Sequence, residues 1–490
     1  MNGKMEEARR VYERSARLIL LIALREVCPQ AKLRVEHSIG QGVYMNVTGI
    51  SLTAALVREI EEKMREIVGR DLPITMSRWT RDEAMSYFKK MGQDDTVRLL
   101  GYRPFDYFNV YTCDGLSEYF YGDMAPSTGA ITSFALRFHY PGMVLLLPGE
   151  DLSGPPAPFV ERPKLMRTYA GANEHSRILC CENAADLNDI IARGEARTFI
   201  RVNEALQDRA IAQIAERIVA RGARVVFIAG PSSSGKTTFA NRLGIQLRVS
   251  GKRPVAISLD NYYKNREEIP LGSDGKPDLE CLESIDVPLF NEQLIDLLAG
   301  REVELPRYSF YTKSREESGV RLSVGSDQII LVEGIHGLND ALSADIPSEL
   351  KFRVYVSALT QLNLDCHNRI RTTDVRLMRR MVRDHRTRAT GALETLQMWD
   401  KVREGEEKYI FPFQEKADVM FNTSLLYEIA VLKKYAYPML MAITEDQEHY
   451  VRARRLVKFL HYFKDCEDET EIPPTSILRE FIGGCTFYDE

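Results

Sequence analysis

From Arg224 to Leu243 the chain reads RVVFIAGPSSSGKTTFANRL, an apolar run followed by a turn rich in glycine and serine. The apolar part, Arg224–Ala229, is typical of a buried strand. Residues 230–237 fit the pattern G-x-x-x-x-G-K-[ST] without a mismatch, and an amphipathic segment follows from Thr238. Glycines let the backbone curl so that its amides face phosphate oxygens, and the next helix adds its positive dipole end. The stretch predicts a P-loop.

This P-loop predicts which residues hold the phosphates of ATP. Lys236 is expected to reach the β- and γ-phosphates, and the Thr237 hydroxyl is expected to bind Mg²⁺. The predicted phosphate-binding residues are Gly230, Pro231, Ser232, Ser233, Ser234, Gly235, Lys236, Thr237 and Thr238. Motors, GTPases and small-molecule kinases all use P-loops, so other residues must separate these classes.

Two acidic residues follow apolar strand patterns on the C-terminal side of the P-loop. Asp260 comes after residues 254–259, and Glu333 comes after residues 328–332. The carboxyl ends of parallel strands face the ligand crevice, so both are candidate Mg²⁺ ligands and Asp260 is a candidate base for an attacking hydroxyl. The alternative for Asp260 is a helix cap. The chain has no NKxD motif, which argues against a GTPase.

A basic segment lies between Arg369 and Arg388, which contains eight arginines. Arg376, Arg379, Arg380 and Arg383 follow the spacing of one helical face. Such a row predicts a lid that closes over phosphates and neutralises the transferred charge. A solvated basic face is the alternative. Nucleic-acid binding is disfavoured because no aromatic residues alternate with these arginines.

Composition sets limits on the whole chain. With 490 residues we expect two or three domains, and a net charge of -5 gives no general attraction to nucleic acid or anionic membranes. The eight cysteines show no metal-binding spacing, which suits reduced thiols in a cytoplasmic protein. The apolar run Leu18–Leu24 is too short to span a bilayer, and we interpret it as part of a buried helix.

Alternating patterns predict helices at residues 5–28 and 54–68, a hairpin at residues 32–47, and strands alternating with helices over residues 224–435. We therefore expect an α/β, doubly wound parallel sheet in the P-loop domain, preceded by an α+β domain. The predicted divisions are an N-terminal domain at 1–148, a linker with connecting helices at 149–200, the P-loop domain at 201–435 and a helical extension at 436–490.

Several stretches together resemble the uridine kinase and phosphoribulokinase family, among them AGPSSSGKTTFA, SLDNYYKN, LPRYSFYTKSRE, ILVEGIHGL and RLMRRMVRDHRTR. The resemblance covers about residues 222–430. It implies a catalytic role for Asp260 together with Lys236, a metal-side role for Glu333, and lid roles for Arg380 near the sugar and for Arg383 and Arg388 near the phosphates. It also implies an acceptor pocket, and its residues are Tyr263, Glu280, Tyr308, Phe310, Lys313 and Arg315.

The chain departs from that family at positions that read the pyrimidine ring. Lys313 stands where a histidine is usual, Thr390 where an arginine is usual, and Glu280 where an aspartate binds ribose. Discrimination depends on pairing buried polar groups with the substrate, so these changes bear on the acceptor and not on phosphoryl transfer.

A second resemblance covers roughly residues 8–145, where EEKMREIVGRDLPI, TRDEAMSYFKK and APSTGAI are similar to the editing domain of threonyl-tRNA synthetases. The positions of that domain's metal-binding and catalytic side chains are occupied here by Arg14, Leu18, Phe120 and Met124. None of these residues can complete such a site, so we expect no hydrolytic editing. We interpret His37 as structural. This two-part combination, and the segment SILREFIGG, resemble bacterial nucleoside kinases with a synthetase-like N-terminal part.

The function predicted is a Mg²⁺-ATP-dependent kinase that phosphorylates a hydroxyl of a small sugar-containing acceptor, with a nucleoside as the simplest choice. Two alternatives stay open: a kinase for a polyol or sugar phosphate, suggested by Lys313, and an RNA-associated ATPase or sensor that uses the N-terminal domain. We expect no membrane or nucleic-acid partner. The sequence leaves homo-oligomerisation and the choice between ATP and GTP open.

Overall fold

The computed structural model describes residues 3–272, 275–309, 312 and 314–487. The helices are α1 Gly3–Val27, α2 Ala54–Gly69, α3 Arg81–Lys90, α4 Asp94–Tyr102, α5 Pro163–Ile178, α6 Ala184–Ala192, α7 Ala196–Arg221, α8 Lys236–Val249, α9 Val287–Leu298, α10 Thr372–Arg388, α11 Ala392–Tyr409, α12 Glu428–Met441, α13 Tyr450–Leu460 and α14 Arg479–Ile482. The strands are β1 Lys32–Ile39, β2 Gly42–Thr48, β3 Thr75–Thr80, β4 Tyr107–Cys113, β5 Leu116–Tyr119, β6 Ala135–His139, β7 Gly142–Leu146, β8 Val225–Ala229, β9 Arg253–Ser258, β10 Val303–Glu304, β11 Arg307–Ser309, β12 Ser314–Glu316, β13 Arg321–Leu322, β14 Gln328–Glu333, β15 Lys351–Ser357 and β16 Val419–Asn422.

The chain forms two compact units. The first unit comprises residues 1–196, 360–375 and 426–467, and the second comprises residues 197–359, 376–425 and 468–490. Each unit is assembled from three separate segments, whereas the sequence patterns divided the chain into four consecutive ones. Periodicity reports the type of each element and carries no information about which distant segments pack together.

In the first unit, helix α1 packs over antiparallel sheets. Its apolar run is buried, with Leu18, Ile19 and Leu20 fully shielded, and this confirms the buried-helix interpretation. The predicted hairpin is also confirmed, since β1 pairs with β2 in a four-stranded sheet of order β1-β2-β7-β6. A three-stranded sheet of order β3-β4-β5 completes the unit's strands. None of the helices in the described residues has the length and apolarity needed to cross a membrane.

Buried ion pairs tie residues 360–375 into the first unit. Asp374 accepts from Arg10 at 2.9 and 3.1 Å and from Arg455 at 2.8 and 3.1 Å. Burial alone would raise the pKa of Asp374, but the two guanidinium groups lower it far below its ordinary value. Arg369 donates in the same way to Glu13 of α1. These pairs fix the start of helix α10.

The second unit contains the predicted parallel sheet. Its order is β16-β15-β8-β14-β9, and every neighbouring pair is parallel. Strand β8 lies in the centre, and its residues are fully buried because helices cover the sheet. The α/β prediction for this region is therefore confirmed. The carboxyl ends of β8, β9 and β14 lie side by side, which brings the segments that follow these strands together.

Candidate active site

The turn between β8 and α8 has the backbone that a P-loop needs. Gly235 caps α8 with a φ of 82°, and a Cβ there would lie 2.6 Å from Cγ2 of Ile477. A Cβ on Gly230 would lie 1.9 Å from the carbonyl oxygen of Val356. Ser233 also has a positive φ, 58°. Glycine is therefore required at both ends of the loop, for close approach at Gly230 and for close approach and a left-handed backbone at Gly235.

Neighbouring elements hold this loop in shape. The Thr423 hydroxyl, just after β16, donates to the Ser234 carbonyl at 2.6 Å. The backbone amide of Ser232 donates to Oε1 of Glu406, on α11, at 3.1 Å. The loop is thus ordered by the protein itself before any phosphate arrives, which reduces the ordering cost of binding.

The Lys236 ammonium stays at the loop, where Nζ donates to the Pro231 carbonyl at 3.2 Å. The Thr237 hydroxyl, one residue on, has no hydrogen-bond partner among the residues described. Both groups begin helix α8, whose N-terminal end carries a partial positive charge. The arrangement suits an anion in the loop with a cation beside the hydroxyl.

Asp260 and Glu333 follow adjacent strands, as the sequence predicts. Glu333 ends β14 and is in register with Ser258, whose hydroxyl donates to Oε1 of Glu333 at 2.9 Å. Ser258, and not Asp260, caps the short helix that follows β9, so the capping alternative for Asp260 is wrong. Within the described chain, the Asp260 carboxylate accepts no hydrogen bond.

The two carboxylates share one electrostatic environment with Lys236. Burial and the nearby Asp260 raise the pKa of Glu333 to about 7, while Lys236 opposes the rise. Asp260 is open to solvent, yet the protein atoms around it desolvate it in part and raise its pKa; Lys236, Arg388 and Arg383 act against this shift. A cation placed between the two carboxylates would relieve their repulsion.

The oxygens predicted to bind Mg²⁺ fit that ion. The described residues hold no cluster of three or more His, Cys, Asp or Glu side chains that could bind a metal alone. Mg²⁺ is usually held by one or two carboxylates, water and substrate phosphates instead of a full protein cage. Thr237, Asp260 and Glu333 match this partial set.

The arginines of α10 separate into two groups. Arg376 and Arg379 are fully buried: Arg376 pairs with Glu406 at 2.5 Å, and Arg379 donates to the Thr423 carbonyl at 2.9 Å. They anchor the helix to the elements that hold the P-loop. Arg380 instead donates to the Ser232 hydroxyl at 2.9 Å and so faces the loop. Helical spacing alone could not make this distinction.

Three lid arginines gather around one buried carboxylate. Asp384 pairs with Arg380 at 3.2 Å and with Arg383 at 2.7 Å, and Nε of Arg388 lies 3.7 Å from it. Three guanidinium groups against a single carboxylate leave an excess of positive charge beside Asp260. The solvated-face alternative fits the end of the helix, where Arg386 is exposed and the Arg388 side chain is 58% exposed.

The predicted acceptor residues are partly brought together. The rings of Tyr263 and Tyr308 lie 5.4 Å apart, and the Tyr263 hydroxyl donates to the Leu279 carbonyl at 2.9 Å. Arg315 is already engaged, since it pairs with Asp286 at 3.0 Å. Phe310 and Lys313 lie outside the described residues, so their predicted roles stay predictions.

Glu280 lies against helix α11, where a Cβ on Gly405 would fall 2.8 Å from Cβ of Glu280. Burial and the Glu406 carboxylate raise the pKa of Glu280 to about 7, whereas Arg380 and Lys236 lower it. Glu280 is thus electrostatically coupled to the P-loop lysine and to a lid arginine. The Thr390 amide donates to the Asp384 carbonyl at 3.1 Å, which places Thr390 at the end of the lid helix.

Residues 225–429 match the model of the phosphoribulokinase/uridine kinase family. The match covers less than half of the chain and includes the P-loop, Asp260, Glu333 and helix α10. A uridine kinase from Pectobacterium carotovorum is 28% identical over 40% of this chain and 85% of its own length, and one from Deinococcus deserti is 26% identical over 40% and 86%. The structure of a possible uridine kinase from Bacillus stearothermophilus covers 44% of this chain and all of its own, with 21% identity and a TM-score of 0.31. The family match supports a phosphotransferase and does not identify the acceptor of the phosphoryl group.

Two residues that contact the P-loop are not indicated by the sequence. Glu406 bonds the P-loop amide of Ser232, but no motif contains it. Glu480, on α14, accepts from the Thr238 hydroxyl at 2.6 Å and lies 3.4 Å from the Thr238 amide. In the sequence, Glu480 stands out only because it lies in the segment SILREFIGG, which resembles nucleoside kinases. That resemblance does not predict its contact with Thr238 of the P-loop.

Proposed function

We propose that this chain is a Mg²⁺-ATP-dependent kinase that transfers the γ-phosphoryl group to a hydroxyl of a small sugar-containing acceptor, most simply the 5′-hydroxyl of a nucleoside. One observation carries the proposal: the Asp260 carboxylate has no hydrogen-bond partner among the described residues and interacts electrostatically with Lys236, with Glu333 and with Arg383 and Arg388. The family match over residues 225–429 supports the same class of reaction.

The P-loop binds the ATP phosphates in this proposal. Lys236 exchanges its bond to the Pro231 carbonyl for a phosphate oxygen, which requires only a small movement of the side chain. Thr237, Asp260 and Glu333 are the residues that would hold Mg²⁺. When bound, the ion neutralises charge on the β- and γ-phosphate oxygens.

Asp260 and Glu333 take different roles because they are held differently. Glu333 is fixed by the Ser258 hydroxyl and by its place at the end of β14, which suits a metal ligand. The Asp260 carboxylate has two oxygens, so one could face the ion while the other accepts the proton of the acceptor hydroxyl. Its raised pKa makes it a stronger base, and Lys236, Arg388 and Arg383 oppose this rise.

The lid arginines supply positive charge where the transferred group develops negative charge. Arg380 contacts Ser232 of the P-loop, and Arg383 acts electrostatically on Asp260. Asp384 orients both guanidinium groups, so little further ordering is needed when substrate binds.

A nucleoside is the acceptor that these side chains suit best. Glu280 offers a carboxylate for ribose hydroxyls, whereas the Tyr263 and Tyr308 rings, 6% and 8% exposed, belong to the core behind it. The curated relatives named above are uridine kinases, which favours the same choice. Because Lys313 and Thr390 replace base-reading residues of that family, we propose weak discrimination among bases.

The test is ADP release from purified protein, with ATP and Mg²⁺, against a panel of nucleosides, polyols and sugar phosphates. We expect turnover with nucleosides and an Asp260→Asn variant slower by at least about 100-fold, with ATP binding retained. Asp327→Asn, which changes a 60%-exposed carboxylate in the same unit, is the control and should turn over normally. If the Asp260→Asn variant turned over at nearly the wild-type rate, Asp260 would not be the catalytic base. If turnover occurred only with sugar phosphates, the acceptor would be a sugar phosphate and not a nucleoside.

A further inference from the structure

The first unit contains a cavity that the kinase chemistry does not use. It has a volume of about 320 Å³, which is within the range of small-molecule sites. Strands β3, β4 and β5 and the helix α13 provide its walls, so it lies wholly within the first unit. The P-loop lies in the second unit, and the cavity is therefore a separate place on the chain.

Four cationic side chains lie in the walls of this cavity. Arg78, Arg103, Arg454 and Lys458 line it, and no residue among those described as lining it is acidic. Lys458 makes no hydrogen bond or ion pair with any part of the chain that the structure describes. Burial and the nearby Arg103 lower the pKa of the Lys458 ammonium, and Asp123 only partly offsets this. Partly buried cations that lie close together raise the free energy of the folded protein unless an anion pairs with them. The cavity therefore favours an anionic ligand.

Arg103 is held in place as a binding group would be. Its Nη1 donates to the Tyr119 hydroxyl at 2.6 Å, and its guanidinium lies 4.7 Å from the Phe105 ring. Its Nε, together with Nε of Arg454 and Nδ1 of His461, is shielded from water and lacks a hydrogen-bond partner in the described structure. These three nitrogens are too shielded for a ligand in the cavity to contact, so they show how closely the side chains behind the cavity surface are packed.

The same cavity offers aromatic surface. Tyr107 is 49% exposed, and the Arg78 guanidinium lies 4.8 Å from its ring. Phe105 adds a second, half-buried ring. The Asn109 side-chain amide also lines the cavity and makes no hydrogen bond within the described residues. A planar base can stack on such rings while an amide reads its polar edge.

We propose that this cavity is a second nucleotide site, which takes a mononucleotide with its phosphate among Lys458, Arg103 and Arg454 and its base against Tyr107 and Phe105. A sugar phosphate would leave the aromatic surface unused, and a free nucleoside would leave the cations unpaired. The proposal does not depend on the kinase function, since it rests on residues of the first unit alone.

The test is equilibrium dialysis of UMP and of AMP against the full-length chain that carries Lys236→Ala, which suppresses binding at the P-loop. We expect saturable binding at one site in the first unit, in addition to any UMP that binds in the acceptor pocket of the second unit. Adding Lys458→Met should weaken it at least tenfold, because the phosphate loses a direct cation. Lys89→Met makes the same charge change at an exposed position of the same unit outside the cavity, and it should leave the affinity within twofold.

A second variant separates the base from the phosphate. Tyr107→Ala should weaken mononucleotide binding about fivefold or more and leave the binding of inorganic phosphate unchanged, since only stacking is lost. Thermal melting of each variant checks that the fold is kept. The proposal is overturned if neither UMP nor AMP binds at millimolar concentration, if Lys458→Met and Lys89→Met behave alike, if inorganic phosphate binds as tightly as UMP, or if only an RNA 3′ end binds.

Discussion

Glu406 joins the lid helix to the P-loop, and the variant Glu406→Gln tests that link. Its side chain is 1% exposed and accepts from Nη2 of Arg376 at 2.5 and 2.6 Å, while Oε1 also accepts from the Ser232 amide at 3.1 Å. Glutamine keeps the shape and removes the charge. Arg376, also 1% exposed, then has no full counter-charge beside it.

The structure sets the size of the expected effect. Removing one partner of a buried ion pair costs about 3–5 kcal/mol, because the remaining charge is buried without compensation. Since the glutamine oxygen still accepts one hydrogen bond, we expect the free energy of unfolding of the second unit to fall by about 3 kcal/mol. The free energy of unfolding of a whole domain is only about 5–15 kcal/mol, so a loss of this size should be easy to measure.

Urea unfolding followed by tryptophan fluorescence measures this. The chain has two tryptophans, and in a Trp79→Phe background Trp399 reports alone; the Arg376 guanidinium lies 5.5 Å from its ring. Glu407→Gln is the control, because Glu407 pairs with Arg403 and is 50% exposed; it should cost no more than about 0.5 kcal/mol. A cost for Glu406→Gln below about 1 kcal/mol would refute the role of Glu406 as the buried counter-charge. A double variant with Arg376→Met should recover part of the loss, since an apolar pair replaces the ionic one.

Three further results are expected. Lys236→Ala should lower kcat at least about 100-fold without changing the melting temperature, since its side chain serves the phosphates and not the core. Glu480→Gln should lower KM for ATP about two- to tenfold, because the Glu480 carboxylate competes with phosphate for the Thr238 amide and hydroxyl. Burial would lower the pKa of His367, but Glu118, 3.1 Å away, raises it to about 9. The stability this supplies is complete below about pH 6.5 and is lost as pH rises through about 9, by about 1–3 kcal/mol.

A specific result would contradict each of these three predictions. Unfolding of Lys236→Ala at a lower temperature would give the lysine a structural role. An unchanged or raised KM for ATP in Glu480→Gln would mean that the carboxylate does not oppose phosphate. For His367, urea unfolding in a Trp399→Phe background, with Trp79 as the reporter, should show the pH dependence flattened by Glu118→Gln. Parallel profiles for the two proteins would exclude that pair as its source.

The P-loop domain was predictable because its signals are local. The continuous apolar strands, the glycines and the lysine of residues 224–243 lie in one stretch, and the strands that end near Asp260 and Glu333 follow the same pattern. His37 was also interpreted correctly as structural: it is buried and stacks on Tyr169 with 3.6 Å between ring centroids. A residue's type and its neighbours were enough in these cases.

The rest depended on contacts between distant segments. Arg376 and Arg380 are one turn apart on the same helix, yet Glu406 makes the first structural and Ser232 turns the second toward the loop. Glu480 meets Thr238 across a separation of 242 residues. No periodicity encodes such partners, because they are selected by the packing of the sheet and helices.

The interleaving of the two units has a consequence for biosynthesis. A ribosome delivers the chain from its N-terminus, but the first unit is incomplete until residue 467 has emerged, and the second needs residues 468–490, which bring Ile477 against Gly235. Neither unit can therefore finish folding until nearly all of residues 1–490 have been made, although domains commonly fold one after another as they are made. The apolar side of α1 can pack early, because its core partners lie between residues 31 and 152. The buried charges of Arg10 and Glu13 on the same helix must wait for Asp374 and Arg369, which are made 364 and 356 residues later.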